Sequence, residues 1–217
     1  MSFQTIIDNA TFINIDKRKT TAISVSRSGH IKTAERQPSV YKFTVGSVPG
    51  LKYSTNRSVL EDIDSADRVT EANISLSNNS GMNYVTAYQG DLDQTALDAM
   101  VMVGATGNVL TINMSASSGS GTAFKKGDFI QPKGDTGTYR YPYQVTQDVA
   151  FSTGSAVAVT VHRPVLAQTG VALTSGGIRV GTAVRFHLKA MVCPTYSIVP
   201  HDRIEFAGDF EFVEIIT

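Results

Sequence analysis

Apolar and polar residues alternate with a period of two along most of this chain, the spacing that turns one face of a strand inward and the other outward. Residues 21–26, TAISVS, alternate in this way, and residues 27–30, RSGH, carry turn chemistry. Residues 31–35 are therefore expected to return as the second arm of a hairpin. Residues 39–45 read as a half-buried strand through Val40, Tyr41, Phe43 and Val45. Further strands are expected at 72–76, 84–88, 109–114, 124–131, 141–149, 156–161, 178–180, 182–192 and 210–216. Pro49-Gly50, NNSG at 78–81, KGD at 126–128 and Gly176-Gly177 mark turns. SASSGSG at 115–121 reads as a flexible tip.

One segment breaks the alternation. Residues 56–69 place Val59, Leu60, Ile63, Ala66 and Val69 on one stripe, as an amphipathic helix requires. Ser58 with Glu61 fits a capping box, and Ser54 or Thr55 offers an earlier start. A shorter helical turn is expected at 93–100, where Leu97 and Met100 are three apart.

Strands spaced roughly every 8–12 residues, with turns between them, indicate a sandwich or barrel rather than a parallel βαβ sheet. Charge then divides the chain. Residues 1–80 hold 10 basic and 8 acidic side chains, residues 81–183 hold 6 of each, and residues 184–217 hold 3 basic and 5 acidic. The charge-poor, turn-rich middle reads as a small β-barrel of its own. The outer segments have too few strands to close separately. The expected fold is mainly β: a discontinuous β-sandwich with one α-helix from residues 1–80 and 184–217, plus an inserted small β-barrel at 81–183.

Composition removes several functions. The 217 residues carry 19 Lys+Arg against 19 Asp+Glu, a net charge of zero. That balance argues against a dedicated nucleic-acid binder. An apolar share of 41% is too high for a disordered chain, and no uncharged run is long enough for a membrane-spanning helix. Residues 1–8 have neither the basic nor the apolar segment of a secretory signal, which implies folding in a cytoplasm.

The candidate chemistry is sparse. His30, His162, His187 and His201 lie too far apart for a local metal face, so no metal or cofactor is expected. His162 reads as a strand-end polar residue and His187 as pointing out of a strand. Cys193, beside Pro194, reads as a buried structural thiol without a base to activate it. Glu205, Glu211 and Glu214 follow strand alternation and read as acids sharing a solvated or interface-facing edge rather than a glycosidase pair. Arg18, Lys19, Arg27, Lys32 and Arg36 make the first hairpin locally basic, without interleaved aromatics. They suit an acidic surface on a neighbouring copy, or plain solvation. Tyr139, Tyr141 and Tyr143 alternate on one strand, with Pro142 marking an edge. Core packing explains them, and a carbohydrate or protein contact is the alternative.

The sequence FKKGDFIQ at 124–131, then YPYQVT at 141–146 and VAVTVHRP at 157–164, resembles the small β-barrel of virion proteins in tailed bacteriophages. YSTNR at 53–57 leading into VLEDID at 59–64, and RIEFAGDFEFVEI at 203–215, resemble tail-tip or baseplate components. Distal-tail-like baseplate proteins are the nearest likeness. It implies a non-enzymatic structural protein of the virion tail, assembled in the host cytoplasm. Its expected partners are copies of itself in a ring, commonly sixfold, and the adjoining tail tube and baseplate hub. No sequence-specific nucleic acid and no membrane insertion are implied. Tail-tube, tail-terminator and neck proteins share related β folds and remain alternatives, as does a receptor- or carbohydrate-binding virion module.

Overall fold

The computed structural model describes residues 2–17, 21–35, 39–46, 51–66, 71–79, 81–133, 141–166, 173 and 176–216. The alternating segments become strands, and the fold is mainly β. In chain order the elements are α1 (Ser2–Asp8), β1 (Phe12–Asp16), β2 (Thr21–Val25), β3 (Ile31–Glu35), β4 (Lys42–Gly46), α2 (Tyr53–Ala66) and β5 (Glu71–Ile74). Then come α3 (Gln94–Asp98), β6 (Val101–Thr106), β7 (Val109–Asn113), β8 (Thr122–Phe124), β9 (Phe129–Pro132), β10 (Tyr143–Gln144), β11 (Val149–Ala150) and β12 (Val157–Thr160). The last are β13 (Ile178–Val180), β14 (Phe186–Val192), β15 (Tyr196–Val199), β16 (Arg203–Phe206) and β17 (Phe210–Glu214). The chain divides into two compact units, Met1–Ala72 with Leu188–Ile216, and Asn73–His187. The sequence placed these breaks after 80 and 183; the contacts place them within β5 and β14.

The first unit is built on a sheet of order β1-β4-β17-β14-β5. Phe43 pairs with Phe212 and Val45 with Phe210, so period-two alternation gathers these rings on one face. All four are almost fully buried, together with Leu188 and Ala190 from β14. The layer over that face is largely helical. Phe3, Ile6, Ile7 and Ala10 follow an i, i+3, i+4, i+7 spacing and are buried, which makes α1 an amphipathic helix that the sequence reading missed. The Phe3 ring meets Phe212 edge-on at 5.4 Å between centroids, and α1 packs on α2. The hairpin β15–β16 completes the layer by setting Phe206 against Phe210 at 5.0 Å. The expected sandwich thus resolves into one five-stranded sheet faced by two helices and a hairpin.

Helix α2 begins at Tyr53, before the expected capping box, so Ser58 lies inside it. Its start is capped from a distance. The Asp202 carboxylate accepts the Ser54 N–H at 2.8 Å and also the Ser54 hydroxyl. Both donors hold the Asp202 carboxyl below the usual carboxylate range. His201 and Asp202 reach this geometry with positive φ of 68° and 59° at the β15–β16 turn.

The second unit contains the sheets β12-β7-β6, β10-β9-β13 and β11-β8. Isolated bridges join Val101 to Gly177 and Val145 to Val161. Single bridges are not continuous ladders, and among the described residues the strands form no closed barrel. The core gathers Leu110 and Ile112 of β7 with Met102, Phe124, Ile130, Val159 and Ile178. Helix α3 is capped by Asp93, whose side chain accepts the Ala96 N–H at 2.8 Å. The buried Asp128 carboxylate accepts the N–H groups of Gln89 and Lys125, each at 2.9 Å, and fixes the KGD turn.

Four local expectations change, the first at 182–192, where Gly181–Ala183 form a 3-10 turn and the strand starts at Phe186. Residues 84–88 form no strand, because Asn83–Val85 close a 3-10 turn. The 141–149 segment is broken into β10 and β11 around residues 146–148. The SASSGSG segment is anchored rather than free, since buried Ser117 donates its hydroxyl to the Ala96 carbonyl at 2.8 Å.

Candidate assembly surface

The hairpin β2–β3 lies between β1 and β4 in the chain and, among the described residues, pairs only with itself. Its register sets Ile23 opposite Thr33, Ser24 opposite Lys32, and Val25 opposite Ile31. Cross-strand partners share a face, so Ile23, Val25, Ile31 and Thr33 form one face, and Ala22, Ser24, Lys32 and Ala34 the other. The apolar face is open to solvent: Ile23 is 67% exposed, Val25 64% and Ile31 68%. Fully burying one such side chain is worth about 1.5–3 kcal/mol. A contiguous apolar strand face left in water marks an interaction surface.

The tip is held by hydrogen bonds. Ser26 donates its N–H to the His30 carbonyl at 2.9 Å and accepts the His30 N–H on its hydroxyl at 3.1 Å. Gly29, at φ +81°, takes the left-handed position and donates to the Ser26 carbonyl at 2.9 Å. Of the basic residues expected here, Arg27 and Lys32 are exposed on this hairpin. Arg18, Lys19 and Arg36 lie outside the described residues. Sequence reading caught the charge and missed the apolar face, although the two-residue spacing of Ile23 and Val25 already carried it.

The acidic residues do not share one edge. Glu205 is exposed on β16, in a different sheet from Glu211. Glu211 is exposed on the outer face of the five-stranded sheet. Glu214 corrects the expectation outright, being 4% exposed on the core face with Phe210 and Phe212. Positions 211 and 214 differ by an odd number, so a regular strand turns them to opposite faces. The Glu214 carboxylate accepts the Tyr41 N–H at 3.1 Å. The outer face has its own pattern. A row of Asp16, Lys42, Val213 and Lys189 crosses one end. Glu211 pairs with Val192 nearer the other end, where the Phe12 ring lies over Gly46 beside Asp209. A Cβ at Gly46 would collide with that ring and with the Asp209 carboxylate. Phe12, Met191 and Val192 are exposed large apolar residues on or beside this end.

The tyrosines are core residues. Tyr141 is 7% and Tyr143 0% exposed, in keeping with core packing and against the alternative of an open contact stripe; Tyr139 lies outside the described residues. Their rings hold the buried Arg163 guanidinium, at 5.9 Å and 5.2 Å from its carbon to the ring centroids. Arg163 also donates to the Pro142 carbonyl at 3.2 Å. A desolvated cation–π contact is worth about 2 kcal/mol. The YPY and HRP segments therefore meet in space as a structural cage. His162 belongs to the same corner, its Nδ1 accepting the Gln144 N–H at 3.0 Å.

Cys193 is half-buried rather than buried and lines an open cleft of about 320 Å³ with Ile63, Asp64, Pro194, Thr195 and Tyr196. The Tyr196 hydroxyl donates to Asp64 at 3.0 Å, and that bond raises the phenol pKa. His187 is half-buried on the outer side of β14, within hydrogen-bond distance of Asn73 at 3.2 Å. Among the described residues no three His, Cys, Asp or Glu side chains are grouped to hold a metal, and no helix is long and apolar enough to cross a membrane. No family model matches the sequence, and no curated protein matches it significantly.

Proposed function

We propose that this chain is a non-enzymatic structural component of a bacteriophage tail, most nearly a distal-tail or baseplate ring protein that joins the tail tube to the baseplate hub. It acts by self-assembly in the host cytoplasm and serves in the virion. The observation that carries this reading is the β2–β3 hairpin, a paired arm whose Ile23, Val25 and Ile31 face solvent. A surface of that kind suits a chain whose work is to bind other chains. The strand and turn motifs that resemble tail proteins support the same reading. The Tyr141 and Tyr143 rings are occupied with Arg163, which weighs against the glycan-binding alternative.

Negative-stain imaging and sedimentation of the purified full chain test the reading. The expected result is closed rings with one copy number. A species that stays monomeric at every concentration, with no rings on the grid, would overturn it. Rings that stack into tubes would move the protein from baseplate to tail tube.

A further inference from the structure

We infer that the apolar face of the β2–β3 hairpin docks on the outer sheet face of a second copy of this chain, at the end marked by Phe12, Asp209, Glu211 and Val192. The inference rests on the self-assembly reading above and specifies which two surfaces meet.

Three observations select this occupant. The first is chemical match. The hairpin presents exposed Ile23, Val25 and Ile31 on one face with the exposed cation Arg27 at its tip, while Lys32 stands on the opposite face. The sheet end presents exposed Phe12, Met191 and Val192 together with the exposed carboxylates Asp209 and Glu211. Apolar groups thus meet apolar groups while opposite charges face each other at the rim, the arrangement that gives a contact its register. The second is polarity within the sheet face. At the far end two cations, Lys42 and Lys189, stand with the single carboxylate Asp16, so the end that carries Asp209 and Glu211 is the one that accepts a basic arm. The third is shape. A β-branched strand face packs well on another pleated surface. Five residues of strand reach roughly 17 Å, enough to cross three strands about 4.8 Å apart.

The two patches differ, so the contact is heterologous: each copy gives its hairpin to one neighbour and receives a hairpin from the other. Such a contact closes into a ring when its rotation divides the circle.

Charge reversal with rescue tests the docking. In sedimentation velocity, R27E is expected to weaken self-association by roughly tenfold or more, adding D209K/E211K is expected to restore it, and K32E, on the opposite face of the hairpin, is expected to change it little. All these side chains are exposed, and circular dichroism checks that the variants fold. A second measurement uses chemical cross-linking in a Cys193→Ser background. Ile31→Cys chains mixed with Val192→Cys chains are expected to join as heterodimers through a short bis-maleimide. Self-association that no reversal changes, or associated chains that give no cross-link, would overturn the docking and leave the ring reading standing. A wild-type chain that never associates would overturn both. Binding to anionic lipid vesicles through Ile23 and Ile31, without self-association, would replace the second copy with a membrane surface.

Discussion

Two hairpins in the first unit have nearly the same size and opposite fates. Strands β15 and β16 pair from Tyr196–Phe206 to Val199–Arg203, and β2 and β3 from Thr21–Glu35 to Val25–Ile31. An isolated two-stranded hairpin is at best marginally stable in water, so each needs a surface to rest on. The β15–β16 hairpin finds one inside its own unit. Ile204 is 2% exposed, Phe206 packs on Phe210, and the Ile204 N–H donates to the Leu51 carbonyl at 3.0 Å. Its turn also caps α2 through Asp202. The β2–β3 hairpin has equally strong strand formers but leaves them in solvent. The difference lies in the partner and not in the strand chemistry. A hairpin covered at Ile204 and Phe206 is part of a core even with Ile198 56% exposed, and one whose whole apolar face is open is an arm.

The largest expected effect breaks the anchored hairpin. Ile204→Ala removes a buried side chain next to the Leu51 backbone and is expected to cost about 2–5 kcal/mol of unfolding free energy. Urea denaturation monitored by circular dichroism measures it. A loss below about 0.5 kcal/mol would mean that this hairpin, too, is merely resting on the unit.

The contrast also shows what the sequence could reveal. Alternation located β2, β4, β7 and β17, the turn at 27–30 located β3, and an apolar run located β12, because each signal lies within a few residues. Helix α2 was visible for the same reason, through Leu60 and Ile63, while its true start was hidden because its cap, Asp202, comes from a distant turn. Helix α1 was missed because two turns carry little periodic signal, even though Phe3, Ile6 and Ile7 are spaced for it. Long-range partnership was illegible. Parity with Phe210 and Phe212 turns Glu214 inward, but nothing near it names the Tyr41 N–H as its partner, and nothing near Tyr143 names Arg163 as its companion. The assembly surface was half legible: the exposed cations could be read, but the exposure of Ile23 and Ile31 depends on what does not pack against them.

A smaller effect sharpens the comparison at the anchored hairpin's tip. Ser54 donates two hydrogen bonds to the Asp202 carboxylate, so its folded pKa lies below its unfolded value of about 3.9. A lowered folded pKa contributes stability that is fully present above the unfolded value and is lost as pH falls through the folded one. Asp202→Asn should therefore be less stable than the native chain near neutral pH, and the two should converge as the pH drops well below about 4. Denaturation across that range checks it. A difference that stays constant from neutral to strongly acidic pH would show that the carboxylate charge does not hold the cap.

The smallest expected effect on the folded monomer comes from the open hairpin and decides whether it is an arm. Ile23→Ala removes the same atoms as Ile204→Ala, from a strand of the same kind. Because Ile23 is 67% exposed, its truncation loses little burial within its own chain. Unfolding of the dilute monomer is expected to change by no more than about 0.5 kcal/mol. Association, measured by sedimentation over a concentration series, is expected to weaken, because these atoms are buried only when a neighbour arrives. The two readouts separate the causes. A loss of about 2 kcal/mol or more in the dilute monomer would mean that the chain covers this face itself, and the distinction between core hairpin and arm would disappear. An unchanged monomer with unchanged association would leave the face exposed but idle. Only a stable monomer with weakened assembly fits an arm whose core lies in the next copy.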